Sequence, residues 1–135
     1  MPLLEQVLEK NPDTVKLVFK NMPLRFHKFA DPSARAALAA FKQGKFWEFH
    51  DELFAVEQLS DDVISNTAVK LGLDIAQFNK DMNSPEVRQQ INKDMLDAQK
   101  AGVTGTPTIF INGKRLKNRS PQGFQEMIDA ELKTR

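Results

Sequence analysis

Apolar residues recur at helical spacing through most of the chain. From Phe46 to Phe54 they return at intervals of three and four positions, which predicts an amphipathic helix with one face on a core. The same criterion predicts several further helices. They lie before Asn11, from Ser33 to Lys42, between Ser60 and Gly72, around Ile75 and Phe78, from Ser84 to about Gly102, and after Ser120.

Polar residues at the predicted helix starts support these boundaries. Ser84 and Ser120 each precede a proline, and a serine N-cap followed by a first-turn proline is a frequent helix start. Ser60 and Asp74 are predicted caps of the same kind without the proline. Asp31 followed by Pro32 is predicted to cap the alanine-rich helix.

Two segments instead favour strands. Val15 to Lys20 is short and rich in β-branched and aromatic residues, which predicts a strand. A second strand is predicted after the Gly105-Thr106-Pro107 corner, at about 108–112. It is followed by an Asn112-Gly113 pair, typical of a type I′ turn, and by a third short strand. The result is a β-hairpin entered through a proline.

The predicted order is helix, strand, a large helical block, hairpin and helix, which indicates an α/β fold. We expect one domain over residues 1–135, with a helical insertion at about 31–101 and the hairpin and closing helix at about 103–133. The chain is 41% hydrophobic and 27% charged with a net charge of +1, as in ordinary globular proteins. Nothing in this balance suggests a nucleic-acid partner. No apolar run approaches the roughly 18 residues of a membrane span, so no membrane partner is expected either.

Candidate catalytic and metal-binding side chains are few. The sequence has no cysteine, which excludes thiol nucleophiles and thiolate metal ligands from these residues. His50 lies on the apolar stripe beginning at Phe46 and is interpreted as a packed structural residue, whereas His27 is expected near the surface. The sequence shows no nucleophile that either histidine could activate as a general base, and no metal-ligand spacing is present. We therefore predict no catalytic residue, no metal and no cofactor.

Two residue clusters allow more than one interpretation. The aromatic residues near Trp47 could form a ligand-binding box, but aromatic residues at helical spacing are more often core. These aromatics are Phe41, Phe46, Trp47, Phe49 and Phe54. The basic residues of the hairpin are interpreted as a solvated edge that discourages further strand addition. We call them the basic cluster, which consists of Lys114, Arg115, Lys117 and Arg119.

Four stretches together resemble the DsbA-like branch of the thioredoxin superfamily, whose members carry a helical insertion in a thioredoxin fold. The run Gly44-Lys45-Phe46-Trp47 lies in the most specific of them. The stretches are Pro2 to Glu5, Phe19 to Leu24 followed by His27, Gln43 to Asp51, and the hairpin with Pro121 to Phe124. They span nearly the whole chain in the family's order.

The resemblance implies where a substrate would bind. In this family the residue before a cis-proline presents its backbone to an extended substrate peptide, beside a redox-active Cys-x-x-C at a helix start. Carried over, Thr106 and Pro107, with Gly105 before them, become the expected peptide-binding residues, and the Thr106–Pro107 bond is expected to be cis. The expected partner is an extended peptide or protein.

The sequence departs from the family pattern at its beginning. The family's strand and Cys-x-x-C would precede Pro2, so we interpret the chain as a truncated, cysteine-free member that is catalytically incomplete and redox-inactive. That strand would lie between residues 15–20 and 108–112. Without it we expect either direct pairing of these two segments or a homodimer through exposed strand edges.

Two other functions remain open. One is a non-enzymatic module that binds peptides or proteins or supports assembly, and the other is a glutathione-using relative with serine in place of cysteine. Localisation is not defined by the sequence. Proteins of the resembled family are usually periplasmic or exported, but the first residues of this chain lack the basic and apolar regions of a signal peptide.

Overall fold

The computed structural model describes residues 2–25 and 27–134, which are mostly helical with one small antiparallel sheet. The first helix, α1, covers Pro2–Lys10. The later helices are α2 (Ala30–Lys42), α3 (Phe46–Ala55), α4 (Asp61–Lys70), α5 (Ile75–Met82), α6 (Pro85–Lys100) and α7 (Pro121–Lys133). The sheet pairs β1 (Phe110–Ile111) with β2 (Lys114–Arg115). No helix within the described residues is both long enough and apolar enough to cross a membrane.

The chain forms two compact units. The helical unit consists of Lys20–Gly102 and contains α2 to α6. The hairpin unit combines the residues up to Phe19 with those from Val103 onward, and it contains α1, both strands and α7. The proline corner singled out in the sequence therefore lies in the hairpin unit.

Four predicted helix caps are confirmed. In each, a side-chain oxygen accepts a hydrogen bond from the backbone N–H three residues later, at 3.0 to 3.3 Å, which satisfies a donor that the helix leaves unpaired. The caps are Ser60, Asp74, Ser84 and Ser120.

The predicted cap at Asp31 is wrong. Helix α2 begins at Ala30 after Phe29, so Asp31 lies inside the first turn. Its carboxylate instead accepts hydrogen bonds from Arg88 Nη1 at 2.7 Å and Arg35 Nε at 2.9 Å. These guanidinium groups, Arg88 above all, lower the pKa of Asp31 below its ordinary value. Ion pairing with α6 has replaced capping as the role of this residue.

The predicted strand at Val15 to Lys20 is also wrong, because these residues form no regular secondary structure. A strand requires a hydrogen-bonded neighbour, and the described residues contain only the two-stranded pairing of β1 with β2. The side chains still alternate in burial as they would in a strand: Val15 and Leu17 are half-buried, while Lys16 and Val18 are exposed. The segment has the pattern of a strand without the pairing of one.

The core of the helical unit is built from small and aromatic side chains. Ala36, Ala39 and Ala40 of α2 are fully buried, which allows the helices to approach closely, and Phe49 packs against Phe78 with ring centroids 5.6 Å apart. The core interpretation of the aromatics holds for Phe49 and for half-buried Phe46. It is wrong for the other three, which are exposed. Those three are Phe41, Trp47 and Phe54.

His50 is buried, as predicted for a packed residue. Its Nδ1 lies 3.1 Å from Asp51 Oδ1, and its ring centroid lies 4.4 Å from that of Phe54. His27 is exposed, also as predicted. Among residues 2–25 and 27–134, no three His, Cys, Asp or Glu side chains are grouped as metal ligands would be.

The hairpin unit has a smaller core, in which α1 and α7 pack on the hairpin. Its buried apolar residues are Val7, Leu116, Phe124 and Ile128. Beside this core, Asn11 Nδ2 donates to Gln125 Oε1 at 2.9 Å, and Gln125 Nε2 donates back to Asn11 Oδ1 at 3.0 Å. This reciprocal amide pair joins the end of α1 to α7.

Candidate functional site

The proline corner lies at the entrance to the hairpin. The Thr106–Pro107 peptide bond is cis, and both residues are exposed, whereas Gly105 is half-buried. We call Gly105, Thr106 and Pro107 the proline loop. It presents its backbone at the surface of the hairpin unit.

The hairpin that follows has a fixed register. Phe110 pairs with Arg115 and Ile111 with Lys114, and Leu116 N donates to Ile109 O at 2.8 Å. Asn112 and Gly113 have φ values of 49° and 81°, the positive values that the predicted type I′ turn requires. Since residues 109 and 111 direct their backbone groups toward β2, the N–H and C=O of Phe110 point to the opposite, unpaired edge.

Two hydrogen bonds brace the proline loop. Thr108 Oγ1 donates to Gly105 O at 2.7 Å, and Arg119 Nη1 donates to Pro107 O at 3.4 Å. Between these two held carbonyls, the backbone of Thr106 makes no hydrogen bond with any described residue. The loop therefore keeps an N–H and a C=O available for an incoming chain.

The loop that carries Arg119 is packed against the start of α7. A Cβ atom on Gly123 would lie only 2.2 Å from Asn118 O, so glycine is required where the backbone of the loop crosses the helix. Asn118 Oδ1 also accepts a hydrogen bond from Ser120 N at 3.0 Å. The path of the chain on both sides of Arg119 is thereby fixed.

The charge of this region is positive. No Asp or Glu occurs between Asp97 and Glu126 in the sequence, while the basic cluster lies within that interval. Lys114 Nζ lies 2.6 Å from Glu131 Oε1, and this interaction lowers the pKa of Glu131. All four members of the cluster are exposed, as predicted for a solvated edge, although Arg119 also holds the proline loop.

A cavity of about 150 Å³ opens in the hairpin unit between residues 14–17 and 109–112. Its apolar lining includes Leu4, Val7, Phe124 and Ile128. The two segments that flank it are not joined by any backbone hydrogen bond among the described residues, so direct pairing of 15–20 with 108–112 is not observed.

The sequence singled out Gly105, Thr106 and Pro107 but not the residues that hold them. Thr108 could have been found, because a threonine three residues after a carbonyl can form a local side-chain bond to it. The bond of Arg119 to Pro107 depends on the hairpin register and has no local signal. Gly123 was noticed only as part of a sequence resemblance, and its steric role requires the packed structure.

Comparison with known proteins identifies the family. The profile of the DSBA-like thioredoxin domain matches residues 15–129. The chain is 35% identical to the probable disulfide bond formation protein D of Bacillus cereus, covering 97% of this chain and 63% of that protein. It is also 36% identical to Na(+)/H(+) antiporter NhaA 1 of Mycolicibacterium gilvum, covering 94% of this chain but 21% of the antiporter.

A solved structure agrees with these sequence matches. The thioredoxin-like oxidoreductase from Silicibacter pomeroyi superposes with a TM-score of 0.87 at 29% identity, covering all of this chain and 78% of that one. The present chain thus shares the fold of a thioredoxin-like oxidoreductase, and its 135 residues contain no cysteine. It belongs to the DsbA-like thioredoxin domain family, which relates it to the thiol-disulfide oxidoreductases.

Proposed function

We propose that this domain docks an extended peptide on its proline loop and so supplies the substrate-binding part of thiol-disulfide chemistry. The observation that carries the proposal is the exposed, unbonded backbone of Thr106 between two braced carbonyls. An extended peptide can accept from its N–H and donate to its C=O, as a strand does when it adds to a sheet edge.

The relatives support the class of substrate. One is named for disulfide bond formation and another for oxidoreductase activity, so the proposed substrates are extended segments of proteins that carry thiols or disulfides. Disulfide exchange requires a thiolate that attacks a disulfide sulfur, and these 135 residues supply none. The domain therefore contributes docking, and any attacking thiolate lies outside these residues.

Replacing Thr106 by proline tests the docking step. Thr106→Pro removes the N–H that the peptide would use. We expect the binding of a fluorescently labelled, proline-free extended peptide to weaken at least about tenfold, because one backbone hydrogen bond is lost and the proline ring displaces the neighbouring one. Fluorescence anisotropy measures the affinity, and circular dichroism verifies folding.

A matched control lies two residues upstream. Thr104 is also exposed and its N–H makes no hydrogen bond with a described residue, so Thr104→Pro is expected to bind the peptide within about twofold of the wild type. Equal loss in both variants would show that general loop conformation, and not the Thr106 N–H, controls binding. Unchanged binding by Thr106→Pro would contradict the proposal.

We also propose that two copies of the chain associate through exposed strand edges. The support is the unpaired edge of β1 at Phe110 and a second apolar residue of the hairpin unit, Val18, which is 66% exposed. Unpaired edges bearing apolar side chains are templates for pairing between chains. The basic residues on β2 oppose addition on the other side of the hairpin.

Light scattering on a size-exclusion column, over a wide concentration range, tests this association. We expect a dimer whose fraction rises with concentration and falls markedly in Phe110→Lys, because a charge is placed at the pairing edge. Val69→Lys is the matched control, since Val69 is a 65% exposed apolar residue of the helical unit. A monomer at every concentration would refute the proposal.

A further inference from the structure

We infer that Arg119 selects acidic peptides at the proline loop. The inference rests on the proposed docking function and adds the chemical class of the preferred substrate: an extended segment with a carboxylate close to the docked residue. Arg119 acts both as a brace of the loop and as the cation that meets this carboxylate.

The guanidinium of Arg119 lies beside the proline loop. Arg119 Nη1 lies 3.4 Å from the carbonyl of Pro107, the residue next to the docking backbone of Thr106. A chain paired with Thr106 would run about 4.8 Å from it, the usual distance between neighbouring strands. The guanidinium has five N–H donors and uses one here, so the others remain for a carboxylate on a long side chain of the docked peptide that extends over the hairpin toward Arg119.

The backbone on both sides of Arg119 is held in place. The chain before Arg119 passes so close to α7 that only glycine fits at position 123, and Ser120 caps that helix directly after it. A charged group held in place loses less conformational entropy on binding than one on a mobile loop. Arg119 is in this respect different from Lys117, for which the structure provides no hydrogen bond or ion pair among the described residues.

The stretch of sequence around Arg119 is basic. The sequence between Asp97 and Glu126 contains no acidic residue, so no carboxylate within this stretch competes for Arg119. Lys114 is already paired with Glu131 on α7, which leaves its charge largely compensated. Arg119 thus keeps an uncompensated positive charge beside the proline loop, and the complement of that charge is an acidic segment.

The test uses three labelled peptides that differ only in one central residue, which is Glu, Ala or Lys. For the wild type we expect the Glu peptide to bind roughly fivefold more tightly than the Ala peptide, and the Lys peptide to bind most weakly, as for a partly exposed charge pair. The preference should shrink in 0.5 M NaCl. In Arg119→Gln the three affinities should converge, and Lys117→Gln should retain the wild-type order.

A positional variant separates placement from charge. Gly123→Ala keeps Arg119 but forces the loop away from α7, so the preference for Glu should fall although the net charge is unchanged. Circular dichroism verifies the fold of Gly123→Ala. If Gly123→Ala does not fold, Arg119→Lys gives an independent measure of how much the placement of the charge contributes to the preference for Glu. Arg119→Lys should retain part of the preference, because it keeps the charge but loses the planar fork of donors.

The outcomes are distinguishable. Equal binding of all three peptides by the wild type would overturn the inference and leave peptide docking intact. Equal loss of preference in Arg119→Gln and Lys117→Gln would also overturn it, because a diffuse basic surface would then explain the selection. No binding of any peptide would refute the proposed function itself.

Discussion

Replacing Phe124 by alanine is expected to destabilise the hairpin unit by about 3–5 kcal/mol, the usual loss for a phenylalanine removed from a packed core. Phe124 is 3% exposed and belongs to a buried cluster with Val7, Leu116 and Ile128. Because this core has so few members, the remaining side chains cannot fill the space by small shifts. Leu116 anchors β2, so the register that supports the proline loop should weaken as well.

Urea unfolding followed by circular dichroism measures this loss. Phe124→Leu should be less destabilising than Phe124→Ala, since most of the buried volume is kept. Phe41→Ala is the control for removing a phenylalanine as such: Phe41 is 65% exposed, and we expect a change below about 1 kcal/mol. Similar losses for Phe124→Ala and Phe41→Ala would mean that the hairpin unit does not depend on this core.

Local signals predicted much of the secondary structure. The caps at Ser60 and Asp74, and the serine-proline pairs at Ser84 and Ser120, identified four helix starts because each satisfies a backbone donor within three residues. The Asn112-Gly113 turn was identified for a similar reason, since few residue pairs adopt two positive φ values in succession.

Predictions that depended on distant partners were less successful. Asp31 followed by Pro32 has the sequence of a cap, but Arg88 lies 57 positions away and its guanidinium binds the carboxylate instead. The strand predicted at Val15 to Lys20 has the required composition, yet composition cannot supply the hydrogen-bonded neighbour that a strand requires.

The candidate site also combines features that have a local sequence signal with features that depend on distant contacts. Gly105, Thr106 and Pro107 were predicted to bind a peptide from a sequence resemblance, and they lie at the entrance to the hairpin. Two hydrogen bonds hold these residues, a local one from Thr108 and one from Arg119, which is distant in sequence. Since distant contacts have no periodic or neighbouring signal, the sequence suggested the proline loop as the docking site that we propose, but not the arginine to which we assign a preference for acidic peptides.

A second network of distant contacts lies inside the helical unit and involves Asp94 of α6, a carboxylate that is 4% exposed. Its Oδ2 accepts from both the backbone N and the Nδ2 of Asn21, each at 2.9 Å, while its Oδ1 accepts from Gln90 Nε2 at 2.9 Å. Buried polar groups are stable only when such partners are complete. Asp94 therefore attaches the segment around Asn21 to α6.

Asp94→Ala is expected to destabilise the chain by about 2–3 kcal/mol, because it leaves the buried N–H and amide of Asn21 without an acceptor. Asp94→Asn should be less destabilising, at about 1 kcal/mol, since its remaining oxygen can still accept from Asn21 while the side chain of Gln90 turns to offer its own oxygen. Urea unfolding of both variants measures the difference. Equal loss would show that the negative charge, and not the acceptor at Asn21, carries the interaction, whereas no loss in either would show that α6 holds this segment by apolar packing alone.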